Sequence, residues 1–173
     1  KAHWKIFKPY KNRIQRAIPK NTILFENKKH IVNIFPQAAA LELEEQQINL
    51  ALKSFENTVR KIMNFNESNI IKVLYIPSVV STYEWEEPIK TQSYHSNKPY
   101  FEANNKKNDH NNILITKKIR LICNKNNCNF CDATSYLKDK GKNNLIHGPK
   151  DWKHFNRIGY KALSEKFLSC EEN

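Results

Sequence analysis

Glycine is scarce in this chain. The 173 residues hold three, Gly141, Gly148 and Gly159, and none precedes position 141. Phosphate-cradling loops of the G-x-G-x-x-G or Walker A kind need glycines for tight turns and close backbone approach, so neither is written here. A G-x-S-x-G nucleophile elbow is excluded on the same ground. Long apolar runs are missing as well. No stretch approaches the roughly 18 apolar residues of a membrane-spanning helix. The opening "KAHWKIFKPY" is basic and aromatic and lacks the apolar centre of a secretion signal. The chain begins at Lys1 and not at Met, which leads us to expect a processed or shortened piece of a longer protein, any targeting segment already gone.

Acidic residues are also short: 17 Asp and Glu against 29 Lys and Arg, a net charge of +12. Such a balance suggests a polyanionic partner, nucleic acid or an anionic glycan. Trp4, Tyr10, Tyr83, Trp85, Tyr94 and Tyr100 would then be available for stacking. The lysines are scattered, however, and no helix-turn-helix, finger or RNP-like pattern accompanies them. Lys, Asn and Ile dominate together, as AT-rich coding favours. A solvated, compositionally biased surface accounts for the charge, and nucleic acid is not the expected partner. The hydrophobic fraction of 39% suffices for one core, and the length fits one domain.

Cys123, Cys128 and Cys131 read C-x4-C-x2-C, with Cys170 further on. The spacing matches one iron–sulfur pattern. A cluster loop needs small residues so that backbone amides can reach the sulfurs. Asn124, Lys125, Asn126, Asn127, Asn129 and Phe130 supply none. Neither an iron–sulfur cluster nor zinc is expected, and no cofactor is called for. A disulfide such as Cys123–Cys128 would fit an exported or periplasmic protein. The leading reading is four small apolar core residues.

Along the chain, residues 1–40 read as a basic irregular segment broken by Pro9, Pro19 and Pro36, with "KKHIVNIF" (28–35) a candidate short strand. Residues 41–173 read as an α/β domain portion. Leu41, Ile48, Leu52, Phe55, Val59, Ile62 and Met63 recur at helical intervals over 41–65. "NIIKVLYIPSVVS" (69–81) holds a continuous apolar β-branched run bounded by Asn69 and Pro77, as in a strand buried on both faces. Residues 82–112 read as a long polar, aromatic loop, a candidate substrate lid carrying Tyr83, Trp85, Tyr94 and His95. A helix over 113–123, a second strand over 128–137 ending near Asp132, a polar loop over 138–150 and a helix over 156–170 complete an α/β alternation.

The chemistry concentrates in "DWKHFNRIGYKAL". Asp151 and His154, three residues apart, sit before the closing helix. A carboxylate so placed can accept the Nδ1–H of the imidazole and leave Nε2 free as a general base. The alternative is that Asp151 caps the helix and His154 is a surface residue. The block resembles the last block of the SGNH, or GDSL-type, hydrolases: D-x-x-H, then Phe155, Asn156, Gly159 and Tyr160. "KKIRLICNKNNCNFCDATSYLKD" is similar to the helix and Asp-terminated strand that precede it in that family. "IIKVLYIPSVVS" looks like an earlier buried strand. The close likeness spans about 128–168 and a looser one 43–83.

The resemblance implies a three-layer α/β/α, flavodoxin-like sheet, here expected to be an incomplete C-terminal part. It implies ester hydrolysis or acyl transfer on a small-molecule or glycan ester. His154 would be the base and Asp151 its orienting acid, with Asn156 and Gly159 in support. The family's G-D-S serine, its oxyanion glycine and its G-x-N-D asparagine have no counterpart here. Ser78 and Ser81 follow a strand, but Pro77 precedes them and no glycine turn is present. The nucleophile is therefore not assigned and is expected upstream, on a missing segment or a second chain, and the chain alone is expected to be inactive. Ser78, Tyr83 and Trp85 are candidates for substrate binding. A non-catalytic α/β domain is the remaining alternative.

Overall fold

A computed structural model describes residues 20–33, 36, 38–65, 71–93 and 100–170. The first elements are strands β1 (Lys20–Phe25) and β2 (Lys28–Asn33), a hairpin whose second strand lies in the candidate strand 28–35 and whose first lies in the segment read as irregular. Glu26 and Asn27 both have positive φ, 49° and 58°, the arrangement that matches the twist of two antiparallel strands. The turn carries no glycine, so its usual sequence signal is absent.

Helix α1 (Ala39–Glu42) and helix α2 (Glu45–Phe65) divide the region read as one helix. Between them the Gln47 side chain accepts the backbone N–H of Glu44, capping the start of α2. Strand β3 (Lys72–Tyr75) is much shorter than the apolar run around it. Pro77 ends it, and Val79–Thr82 form the single turn α3.

The region read as a loop over 82–112 is largely structured. It holds β4 (Glu84–Trp85), β5 (Ile89–Gln92), β6 (Tyr100–Ala103) and the first turns of α4 (Asn105–Lys125). The Asn104 side chain accepts the N–H of Lys107 at 2.7 Å and starts α4 well before the expected Ile113. Tyr94 and His95 lie outside the described residues. Strand β7 (Asn129–Asp132) ends where expected. A helix, α5 (Thr134–Asn143), then replaces the predicted strand end and loop, and α6 (Arg157–Ser169) closes the fold.

The fold is mixed α/β with small sheets. β2, β1 and β4 form an antiparallel sheet in that order, β5 and β6 pair antiparallel, and β3 pairs in parallel with β7. Alternation splits the parallel pair between two clusters. Val73 and Phe130 pack with Val59, Phe55 and Met63 of α2 and with Ile119 and Cys123 of α4. Leu74 joins the larger core of Ile23, Val80, Trp85, Ile89, Leu137, Ile146 and Ala162. Cys131, next to Phe130, is disulfide-bonded to Cys170 at the end of α6, their Cα atoms 5.9 Å apart. That pairing corrects the expectation of four core thiols and of a Cys123–Cys128 bridge. Cys123 and Cys128 are free and buried, and burial pushes the Cys123 thiol up to about 12. With Cys131 consumed, C-x4-C-x2-C cannot act as one ligand set. Among the described residues no helix is long and apolar enough to cross a membrane.

Candidate functional site

The loop between α5 and α6 is built by its neighbours rather than by regular structure. Gly148 adopts φ +67°, and a Cβ there would meet the Trp152 indole at 2.6 Å. Its N–H donates to the carbonyl of Asp151 at 3.1 Å, closing a turn. His147 and Phe155 then form an isolated antiparallel bridge, which sets Asp151–His154 as the tip of a tight excursion.

Asn156 holds both ends of it. Its Oδ1 accepts the N–H groups of Ile158 and Gly159, at 2.9 and 3.1 Å, and so caps α6. Its Nδ2 donates to the carbonyls of Leu145 (2.6 Å) and His147 (3.3 Å). The cap therefore belongs to Asn156 and not to Asp151. At Gly159 the helix passes so close that a Cβ would lie 2.2 Å from the carbonyl oxygen of Ile146. Asn156 and Gly159 thus fix the loop and the start of α6.

Released from capping, Asp151 faces the histidine. Its Oδ2 lies 2.6 Å from His154 Nδ1, and its Oδ1 accepts the N–H of Lys153 at 2.8 Å. The His154 hydrogen bond first, and the Lys153 amide second, hold the Asp151 carboxyl below the usual carboxylate range. The His154 side chain is 68% exposed, so it is not pressed against an apolar wall. Asp151 is the only hydrogen-bonding partner of the ring among the described residues, and no serine reaches it.

Both residues line a cleft of about 880 Å³. Ile76, Pro77, Ser78 and Val79 enter it beyond the carboxyl end of β3, the end at which α/β sheets bind ligands. Trp152, Phe155, Tyr160 and Leu163 form apolar walls, and Lys150 and Lys153 add positive charge. The Ser78 hydroxyl sits 3.3 Å from that of Ser81, which donates to buried Asn108 at 3.0 Å.

Tyr83 and Trp85 are placed differently from the sequence reading. Both are core residues, 3% and 2% exposed, and neither lines this cleft. Trp85 Nε1 donates to the Val80 carbonyl at 3.1 Å, a buried contact that leaves no face for a ligand. The aromatic set read for stacking is thereby divided. Tyr83 and Trp85 are internal, Tyr100 lies 5.4 Å from the Lys90 ammonium, and Trp4, Tyr10 and Tyr94 lie outside the described residues.

One cleft residue was invisible in the sequence. His147, 3% exposed, lines the cleft and meets the Tyr83 hydroxyl through Nδ1 at 3.2 Å. Burial pushes its pKa down to about 4. Its partner is 64 residues away in sequence, so no local pattern signals it. Among the described residues no group of three His, Cys, Asp or Glu side chains could hold a metal ion. Comparison with protein-family models, with curated proteins and with solved structures finds no match to the chain in any of the three.

Proposed function

We propose that this chain carries the base half of an SGNH-like ester hydrolase or acyltransferase. His154 is the general base, Asp151 orients it, and the serine nucleophile is contributed from outside these 173 residues. The observation that carries the reading is the 2.6 Å contact of Asp151 Oδ2 with His154 Nδ1, at the edge of a cleft, with the rest of the ring open. An ionised Asp151 fixes the proton on Nδ1, and the Nε2 lone pair is left to accept one. As a serine hydroxyl attacks the acyl carbon, its proton passes to Nε2. As the alkoxide leaves, Nε2 returns it. Asp151 stays ionised throughout and offsets the charge on the imidazolium. Ser78, its hydroxyl tied to Ser81, is a polar contact for the ester within the same cleft.

The fold reading belongs to the same proposal. The parallel β3–β7 pair, with α2 and α4 against one face and the end of α6 tied to the other, supports a three-layer flavodoxin-like sheet of which this is part. The Cys131–Cys170 disulfide fits an oxidising compartment.

The test is hydrolysis of an aryl acetate by the complete gene product. His154→Ala should lower kcat by about 10³–10⁴-fold, and Asp151→Asn should do so by up to about 10⁴-fold with the fold retained. A fluorophosphonate label located by mass spectrometry should identify the serine. Unchanged turnover in the His154 variant sinks the reading.

A further inference from the structure

His147 has one ring nitrogen accounted for and one left over. The Tyr83 oxygen accepts two backbone N–H groups, those of Ile146 and His147, each at 2.9 Å. The phenol carries a single proton, and its remaining contact is His147 Nδ1 at 3.2 Å. Burial pushes the Tyr83 phenol up to about 12, so that proton is present at neutral pH. Tyr83 must therefore donate and Nδ1 must accept. Burial also keeps the imidazole neutral, and a neutral ring has one proton to place. It sits on Nε2.

Nothing among the described residues accepts that Nε2–H. Nor is that nitrogen enclosed: among the described residues the buried side-chain polar atom without a partner is His30 Nε2, so the His147 Nε2–H is a donor open to what enters from outside. The ring is not sealed away: it lines the cleft that holds His154, and its backbone pairs with Phe155, the next residue along. The Phe155 ring lies 4.4 Å from it, centroid to centroid, and limits its rotation.

We infer that His147 is a ligand-contacting residue of this cleft, whose Nε2–H donates to an oxygen acceptor of the bound molecule, the carbonyl of an ester or the carboxylate of its product acid. The choice of an ester rests on the function proposed above, whereas the donor role rests on Tyr83 and the cleft alone. The two histidines then divide the work. Exposed His154, paired with a carboxylate, takes up a proton. Buried His147, locked by a phenol, keeps its proton and offers a fixed neutral dipole to oxygen, a form of electrostatic positioning that needs no reorganisation when charge develops.

The experiment uses the full chain and acetate as probe. Long-range proton–nitrogen correlation spectra at pH 7 should show His147 protonated at Nε2. Acetate should shift that Nε2 resonance saturably. His147→Phe, which keeps a ring against Phe155, should weaken acetate binding about tenfold or more, and His147→Gln, which retains a side-chain N–H, should restore most of it. Tyr83→Phe should release the tautomer lock and yield a mixture. An Nδ1–H tautomer in the unmodified protein overturns the inference. So does acetate that perturbs Lys150, Lys153 and His154 and leaves His147 Nε2 unmoved. These two readings need no variant to fold. His154→Gln should leave the His147 tautomer and its acetate shift intact, so a failure of the base role and a failure of the donor role are read separately.

Discussion

At the scale of single residues, the short motif was legible and the long-range partner was not. Asp151, His154, Asn156 and Gly159 lie within nine positions, so their spacing could be read directly. His147 acquires its role from Tyr83, and Tyr83 is spent on the backbone of residues 146 and 147. The contacts around this loop make predictions of two kinds, the first on substitution and the second on pH. Gly→Ala in a helix ordinarily stabilises by about 1 kcal/mol. At Gly159 the added methyl would meet the Ile146 carbonyl at 2.2 Å, and that backbone is pinned by the N–H of Asn156 at 2.9 Å. The clash outweighs the propensity, and Gly159→Ala should destabilise by about 1–3 kcal/mol in urea unfolding. Asn156→Ala loses a cap and two carbonyl contacts and should cost about 1–3 kcal/mol. The second prediction concerns pH. His147 is held near 4 when folded and titrates near its ordinary 6.5 when unfolded. The unfolded chain then binds the extra proton, so stability is full above about 6.5 and falls as pH drops towards 4. The loss approaches roughly 3 kcal/mol at its limit. Lys150, Asp151, Lys153 and His154 share the cleft, and none hydrogen-bonds to the ring. The carboxylates held low by partners, Glu56, Glu86, Asp151 and Glu165, lose their contributions only as pH falls through the carboxylate range. His147→Gln should therefore flatten the urea midpoint between pH 6.5 and 4.5. A slope unchanged by that substitution would assign the acid sensitivity elsewhere.

At the scale of elements, periodicity found what repeats and missed what turns. The α2 pattern is regular over five turns, and the closing helix is equally clear. Within the β-branched run over 69–81, Asn69 and Pro77 bound the expected strand, and β3 stops two residues before Pro77. Residues 82–93 and 100–103 looked like loop because their strands are two to four residues long, too short for alternation to stand out, and the first turns of α4, NKKNDHNN, carry no apolar residue to mark a helical stripe. Helix α5 was missed for another reason. "DATSYLKDKGKN" contains a glycine in the last turn of the helix, yet Gly141 sits where a Cβ would meet the Thr82 carbonyl oxygen at 2.7 Å, so packing and not propensity chose it. The disulfide was open to several pairings from sequence. It ties β7 to the far end of α6 across 39 residues. In the unfolded chain that cross-link removes conformational freedom, and its loss should cost about 2–4 kcal/mol. Cys170→Ala should lower the urea midpoint accordingly and lose any further response to reductant, while Cys123→Ala, at a buried free thiol, should act through packing alone and keep the full response, because its Cys131–Cys170 bridge is intact. Equal response of both variants to reductant would contradict the pairing.

At the scale of the whole molecule, the charge is the feature most plainly read from sequence and least explained by any one site. The ion pairs are at the surface: Lys142 with Asp139, Lys125 with Glu56, Lys140 with Glu165, and Lys29 with Glu86. Exposed pairs of this kind contribute about 0–1 kcal/mol each, and salt weakens them. Against them stands the mutual repulsion of a +12 chain, which salt also weakens. The two effects have opposite signs in a salt titration, so the experiment decides between them. Among the described residues the pairs join only a minority of the Lys and Arg side chains, and the excess charge acts on all of them. At 0.1 M salt the screening length is about 10 Å, shorter than most distances across a domain of this size, so the long-range repulsion is removed first and the close pairs last. Raising sodium chloride from 20 to 300 mM should therefore raise the melting temperature, by about 2–4 °C for each kcal/mol of repulsion relieved. A melting temperature that falls over this range would mean that the pairs outweigh the excess. Lys150 and Lys153 belong to that excess and stand beside the cleft, so the charge that loosens the fold as a whole is also the charge that would meet a carboxylate product at His147 and His154.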